Sequence, residues 1–361
     1  MRKIPFDEKE LRPVAQAPGM PGEPPMPVYD FPVSMKQACR AAYDNEPIWL
    51  PIGVETNFFS PRIIPDNIAR GFLAEESEMP EAEPGGRDMF GVEWVYQPQA
   101  RGSMVKPGSP VLKDANDWVN AIRFPDIDKW DWEGSAKANE KYLGGGKFNV
   151  MWLLNGCWFE RLVSFMDFEG AAVALIDEDQ RDAVRELFDR TTDLYCAIID
   201  RSVRYFDIDA FMVHDDWGSQ RSPFFSPETG RELFLPYMEK LVGHIHSKGK
   251  IAELHSCGQI EAHFPTFVEA GWDSWSGMSV NDTHMLYDKY GDKIHIGVYP
   301  DLIDANAPEE EQRRAARDFV DRFAKPDKLA FINPYVFPMM TPAYREEIYR
   351  YSRIKFSRQA I

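Results

Sequence analysis

Cysteine is scarce in this chain: there are four in 361 residues, Cys39, Cys157, Cys196 and Cys257, all far apart. That spacing argues against a disulfide scaffold and for a reducing compartment, so a cytoplasmic protein is expected. Long apolar runs are absent as well. None approaches the roughly 18 residues that a membrane helix requires, and no secretory leader is recognisable at the start. An excess of positive charge is also missing, since 58 Asp and Glu outnumber 41 Lys and Arg for a formal charge of -17. With no basic run or arm, neither nucleic acid nor an anionic membrane is an expected partner. Nor is there a repeat of solenoid length.

What is present reads as a soluble globular enzyme, with 44% hydrophobic and 27% charged residues. Near the start come Pro13, Pro18, Pro21, Pro24, Pro25, Pro27 and Pro32, a density that blocks helix and sheet alike. An extended arm is expected there, lying on the body of the chain or on the partner of a homodimer. Beyond it, a helix is expected over 34–43. Buried strands are expected at 47–53 (PIWLPIG), 148–154 (FNVMWLL), 210–213, 251–254, 273–275, 294–297 and 329–332. Helical spacing marks 179–205, 227–248, 261–270 and 308–323. Residues 57–96 read as an insertion over the cleft, in which DMFGVEW (88–94) alternates like a hairpin strand, and FPDIDKWDW (124–132) as a turn-rich loop. Alternating strands and helices signal a parallel sheet. Seven strands are counted, and an eighth is inferred.

The stretch 210–258 organises the rest. It reads as strand, helix, strand, and both strands end abruptly in polar residues: His214, Asp215 and Asp216 after the first, His255 and Cys257 after the second. In parallel α/β folds the residues past the strands' C-terminal ends line the ligand cleft. In extended chain, residues i and i+2 face one way, so the His255 imidazole and the Cys257 thiolate can address one ion, and such a pair suits zinc. A catalytic zinc needs a third protein ligand. Cys157, after the 148–154 strand, is the first choice; Glu160, His214, Asp215 and Asp216 are the others. Asp215 and Asp216, with His214, are also the candidates for acid chemistry or for orienting a ligand, because adjacent carboxylates can keep one proton between them. Trp158, Phe159, Trp217, Tyr299, Tyr335 and Phe337 follow strand ends and could line a substrate pocket. The plainer reading of each buried Cys or aromatic is core packing.

These residues carry a resemblance. DDWGS after a strand, SPE at 226–228, the Pro-Tyr pair at Pro236 and HSCG at 255–258 are similar to the uroporphyrinogen decarboxylase superfamily, over residues 45–350. DMFGVEW, FPDID and Gly297 agree with its methyltransferase-like members. The resemblance implies a single TIM-type (β/α)8 barrel over 45–361, preceded by the Pro-rich arm and first helix at 1–44. Decarboxylase members carry an arginine-rich stretch and an essential Asp after the first strand. Here that place reads PIWLPIGVETNFFS, so a porphyrinogen would bury unpaired carboxylates. Methyltransferase members bind zinc through a His-x-Cys pair, matched by His255 and Cys257, and through a distant Cys near the C-terminus. This chain has FINPYVFPMM there, which leaves open whether another residue completes the site or the metal is lost.

The activity so implied is that of a corrinoid-dependent methyltransferase. It would take a methyl group from a small methylated donor, such as a methoxylated aromatic in O-demethylation, and pass it to cobalamin on a separate corrinoid protein, with zinc as Lewis acid. The rivals are methyl transfer to a zinc-held thiolate, a decarboxylase or lyase acting on an unknown carboxylic acid, and a barrel that binds a small ligand without turnover.

Overall fold

A computed structural model describes residues 4–17, 25–80, 83–98, 102–301, 303–325 and 327–358. The chain divides into two compact units. One, the terminal unit, comprises Met1–Asn57, Gly146–Phe148 and Asp273–Ile361; the other, the central unit, comprises Phe58–Gly145 and Asn149–Trp272.

The central unit is built on three parallel strands, Phe148–Leu153 (from Asn149 on), Ala210–His214 and Ile251–Ser256. Val150 pairs with Ala210 and Leu153 with Val213, then Ala210 with Ile251 and His214 with His255. All three are short apolar runs buried almost throughout, as strands covered by helices on the crossover side must be. The crossovers are the helices Phe159–Ala174 and Arg181–Tyr205 before the second strand and Pro227–Ser247 before the third. The last of these starts where the sequence predicts. Ser226 Oγ accepts from the Thr229 N–H at 3.2 Å, and Pro227 occupies the first turn, where its missing N–H has no helical partner to lose.

The insertion forms an antiparallel meander of Gly86–Arg87, Glu93–Gln97 and Gly102–Val105. DMFGVEW is therefore mostly a turn, not the strand its alternation predicts. Asp88 Oδ1 accepts from the N–H groups of Phe90 and Val92, both at 2.9 Å, and Gly91 has φ +81°, so the strand begins only at Glu93.

In the terminal unit Ser274–Gly277, His295–Val298 and Lys328–Ile332 pair in parallel, with the helices Thr283–Tyr290 and Glu309–Phe323 between them. The helix Met35–Tyr43 begins in a capping box between Ser34 and Gln37. PIWLPIG does not form the predicted strand. Pro47 and Pro51 lack N–H donors, and the neighbouring amides turn to side chains: Leu50 N–H donates to Ser352 Oγ at 3.0 Å, and Ile52 and Gly53 donate to the buried Glu55 carboxylate at 2.9 and 3.0 Å. The strand lies later, at Thr56–Phe59.

The arm pairs with itself despite its prolines, Pro13–Ala17 running antiparallel to Met26–Tyr29. It is fixed to the last helix, Pro342–Arg358, where Arg353 Nε donates to Glu10 Oε2 at 2.9 Å and Tyr349 Oη to the same oxygen at 2.6 Å. Pro18, Pro21 and Pro24 lie outside the described residues. The parallel α/β class and the strand–helix alternation of a TIM-type barrel are thus observed, while among the described residues no pairing closes eight strands into a ring. Among those residues no helix is long and apolar enough to cross a membrane.

Candidate metal centre

Four side chains converge past two adjacent strand ends of the central unit. His214, Asp216, His255 and Cys257 each offer a ligand atom within 4.8 Å of the others. The His214–His255 register sets the imidazoles side by side, ring centroids 4.7 Å apart and planes 13° from parallel. His255 Nε2 lies 3.2 Å from Cys257 Sγ, and His214 Nε2 lies 3.7 Å from Asp216 Oδ1. Donors at roughly 2.0–2.3 Å from a tetrahedral zinc stand about 3.3–3.8 Å from one another, so the set fits the ion in type, and these two pairs lie near that spacing while the group as a whole, within 4.8 Å, would draw in slightly around it. The two loops touch backbone to backbone. A Cβ on Gly258, which has φ +87°, would fall 2.1 Å from the Gly218 carbonyl, so both DDWGS and HSCG need glycine at the crossing.

Behind this group stands a layer of supporting contacts. Glu160 Oε2 is 2.7 Å from His214 Nδ1, and Arg70 Nη1 donates to Glu160 Oε1 at 3.2 Å. Asp215 accepts from the backbone N–H groups of Trp158, Phe159 and Glu160 at 3.3, 3.1 and 3.1 Å and from Trp217 Nε1 at 2.7 Å. It therefore caps the Phe159–Ala174 helix and fixes where Glu160 leaves it. The turn before that helix is tight: a Cβ on Gly156 (φ +71°) would meet Asp215 Oδ1 at 2.5 Å. One helical turn is also tied to the insertion, since the buried Arg161 pairs with Asp66 and, at 2.7 Å, with Asp88. Asp66 opens the helix Pro65–Arg70, so this ion-pair network ties the helix that carries Arg70 to the one that carries Glu160.

Charge in the site is predominantly negative. Burial, then the Glu160 charge, pushes the Asp215 carboxyl up to about 7 and raises that of Asp216. Burial, then Asp216 and Glu160, pushes the Cys257 thiol up. Burial would raise Glu160 too, but His214 and Arg70 outweigh it and hold the carboxylate ionised. Burial would lower His214, yet Asp216 and Glu160 outweigh it in turn and raise it. A bound cation reverses the logic for the thiol, because a coordinating thiol loses its proton outright.

His214, Asp216, His255 and Cys257 come together, but Cys157 is not among them. The chain turns at Asn155 and Gly156, both with positive φ, and carries Cys157 inward, where it is wholly buried and its carbonyl accepts from Thr191 Oγ1 at 3.1 Å. Trp158, Phe159 and Trp217 are core residues. Trp158 Nε1 donates to Thr192 Oγ1 at 3.0 Å, and Trp217 packs on Phe234 with centroids 4.8 Å apart. In the terminal unit, Tyr299 Oη donates to the Gly277 carbonyl at 3.2 Å and Tyr335 is nearly half exposed. The side chain of Phe337 lies outside the described residues. Arg70 escaped sequence reasoning because its partner lies 90 residues away.

No protein-family model matches the chain, and no curated protein matches it. Among solved structures, a methyltransferase from Methanosarcina mazei is similar with a TM-score of 0.57 at 16% identity, over 90% of this chain and 99% of that one. At that identity the likeness speaks for a shared fold.

Proposed function

We propose that the protein is a zinc-assisted methyltransferase that moves a methyl group from a small methylated donor, a methoxylated aromatic in the leading case, to cobalamin on a separate corrinoid protein. The observation that carries this reading is the group His214, Asp216, His255 and Cys257 at the strand ends. The shared fold with a methyltransferase supports it.

When bound there, zinc supplies Lewis acidity to the donor's oxygen as the methyl group leaves. Only one of the four donors is sulfur, which favours an oxygen-bearing donor over activation of a thiol, since thiolate-rich shells suit soft partners. His255 and Cys257 would hold the ion, and His214 would present Nε2 because Glu160 engages Nδ1. Four protein donors would fill a tetrahedral shell, whereas catalysis keeps one position open. Asp216, whose Oδ1 already accepts from the Cys257 N–H at 2.6 Å, is the residue that would leave that position to substrate, and its carboxyl would then be available to hold or give a proton beside the leaving oxygen. Decarboxylation of a polyacid is disfavoured by the same geometry, because Arg70, the cation facing the group, is already paired with Glu160.

Elemental analysis should find about one zinc per chain. Supplied with cob(I)alamin and methoxylated aromatics, the protein should form methylcobalamin, read by absorbance. A metal-free preparation with full activity removes the Lewis-acid role. Carbon dioxide release from a carboxylated substrate, without methyl–cobalt absorbance, turns the assignment to a decarboxylase.

A further inference from the structure

We infer that Phe58, Phe72 and Trp152 form an aromatic subsite beside the metal group that takes a planar aryl ring. The strand Phe148–Leu153 is buried at every position but one, and that one is Trp152. Trp152 pairs in register with Met212, two residues before His214. Side chains at i and i+2 share a face, as do paired residues on parallel strands, so the indole lies on the face that carries Met212, His214 and His255. With strands about 4.8 Å apart and two residues advancing about 6.6 Å, its Cα stands about 8 Å from that of His214. That is the separation at which one end of a small donor can sit on aromatics while the other reaches the metal group.

The aromatic packing is open on one side. Phe72 stacks on Trp152 with centroids 4.9 Å apart and planes 25° from parallel, and Phe58 approaches at 4.9 Å and 55°. Phe72 nonetheless remains 41% exposed, so a further ring laid on it would bury apolar surface and extend the stack. Trp152 Nε1–H is buried without a hydrogen-bond partner. Buried donors are normally satisfied, and the oxygen of an aryl ether or phenol is an acceptor of the right kind. The metal group and this subsite together select a ring-bearing donor over an alkyl one.

The inference rests on the methyltransferase reading only for what happens after the ring binds. Calorimetric titration of the zinc-loaded protein with methoxybenzene and 2-methoxyphenol, against methanol and 2-methoxyethanol as ring-free probes, tests it. Aryl probes should bind tighter, and Trp152→Leu and Phe72→Leu should each weaken them about 3–10-fold while zinc content stays that of wild type. Trp152→Phe, which keeps an aromatic face but loses the Nε1–H donor, should bind methoxybenzene with an affinity between those of wild type and Trp152→Leu. Phe72 is exposed, so its variant carries the test if Trp152→Leu does not fold. No aryl binding by wild type, or equal binding by both leucine variants, overturns the inference. Methyl transfer from methanol alone would leave the enzyme reading intact and the subsite refuted; aryl binding that depends on Trp152 without any methyl transfer would do the reverse.

Discussion

Replacing Glu160 asks whether the metal group is organised from outside its own four donors. Glu160 Oε2 and His214 Nδ1 are 2.7 Å apart, and both side chains are about 15% exposed (14% and 15%). The contact therefore works largely out of water, where a charge-assisted hydrogen bond is strong. It makes Nδ1 the donor and leaves the lone pair on Nε2, the nitrogen that faces Asp216. In Glu160→Gln an amide oxygen still accepts from Nδ1, so ring orientation survives while the negative charge is lost. In Glu160→Ala both go, and Arg70 loses its carboxylate as well. Outer partners of this kind are worth about 10–100-fold in metal affinity, which is about 1.4–2.7 kcal/mol. The expected order of zinc Kd is wild type, then Gln near the lower end of that range, then Ala near the upper end. Competition against a fluorescent chelator measures it, and denaturation of the metal-free proteins separates loss of metal from loss of fold. Equal zinc Kd in all three proteins, with His255→Ala still losing the metal, would show that His214 is not a ligand and that the ion is held without this support.

Two further outcomes follow from the placement of other residues. Cys257→Ser should lose zinc with the fold intact, whereas Cys157→Ala should keep it, because only Cys257 belongs to the group; elemental analysis of both decides, and loss of zinc in Cys157→Ala would restore that residue as a ligand. The second concerns His263, which is wholly buried and whose pKa burial lowers from 6.5 to about 4, although the Phe225 carbonyl at 3.2 Å works the other way. The unfolded chain thus binds the proton more tightly, so His263 stabilises the fold above its unfolded pKa and loses that contribution as pH falls toward 4. Asp215 and Asp66, pushed up to about 7 and about 6, run in the opposite direction, so the measurable quantity is the difference from His263→Gln. Between pH 7 and pH 5 wild type should lose about 2 kcal/mol relative to that variant in urea denaturation, and a difference that does not change with pH contradicts the burial argument.

What was legible in the sequence depended on how local its cause is. The strand–helix–strand unit from Ala210 to Ser256 was readable because apolar runs of strand length flank a capped helical repeat, and with it came the polar strand ends that hold His214, Asp216, His255 and Cys257. PIWLPIG had the same apolar content and failed as a strand, because two prolines and a buried Glu55 give its amides other partners. The placement of Cys157 failed for a related reason. A strand end predicts the cleft only for the residues that still point along the strand, and Cys157 lies beyond a left-handed pair that reverses the chain. Glu160 stood among the candidate ligands, but its part as the acceptor beside His214, like that of Arg70, follows from contacts 54 and 90 residues apart that leave no periodic trace. Trp152 shows the limit most sharply. Inside FNVMWLL it reads as one more buried strand residue, and only its register with Met212 reveals that it shares a face with His214. Local pattern thus located the strand ends, while which side chains meet there was decided by register and by the turn that follows each strand.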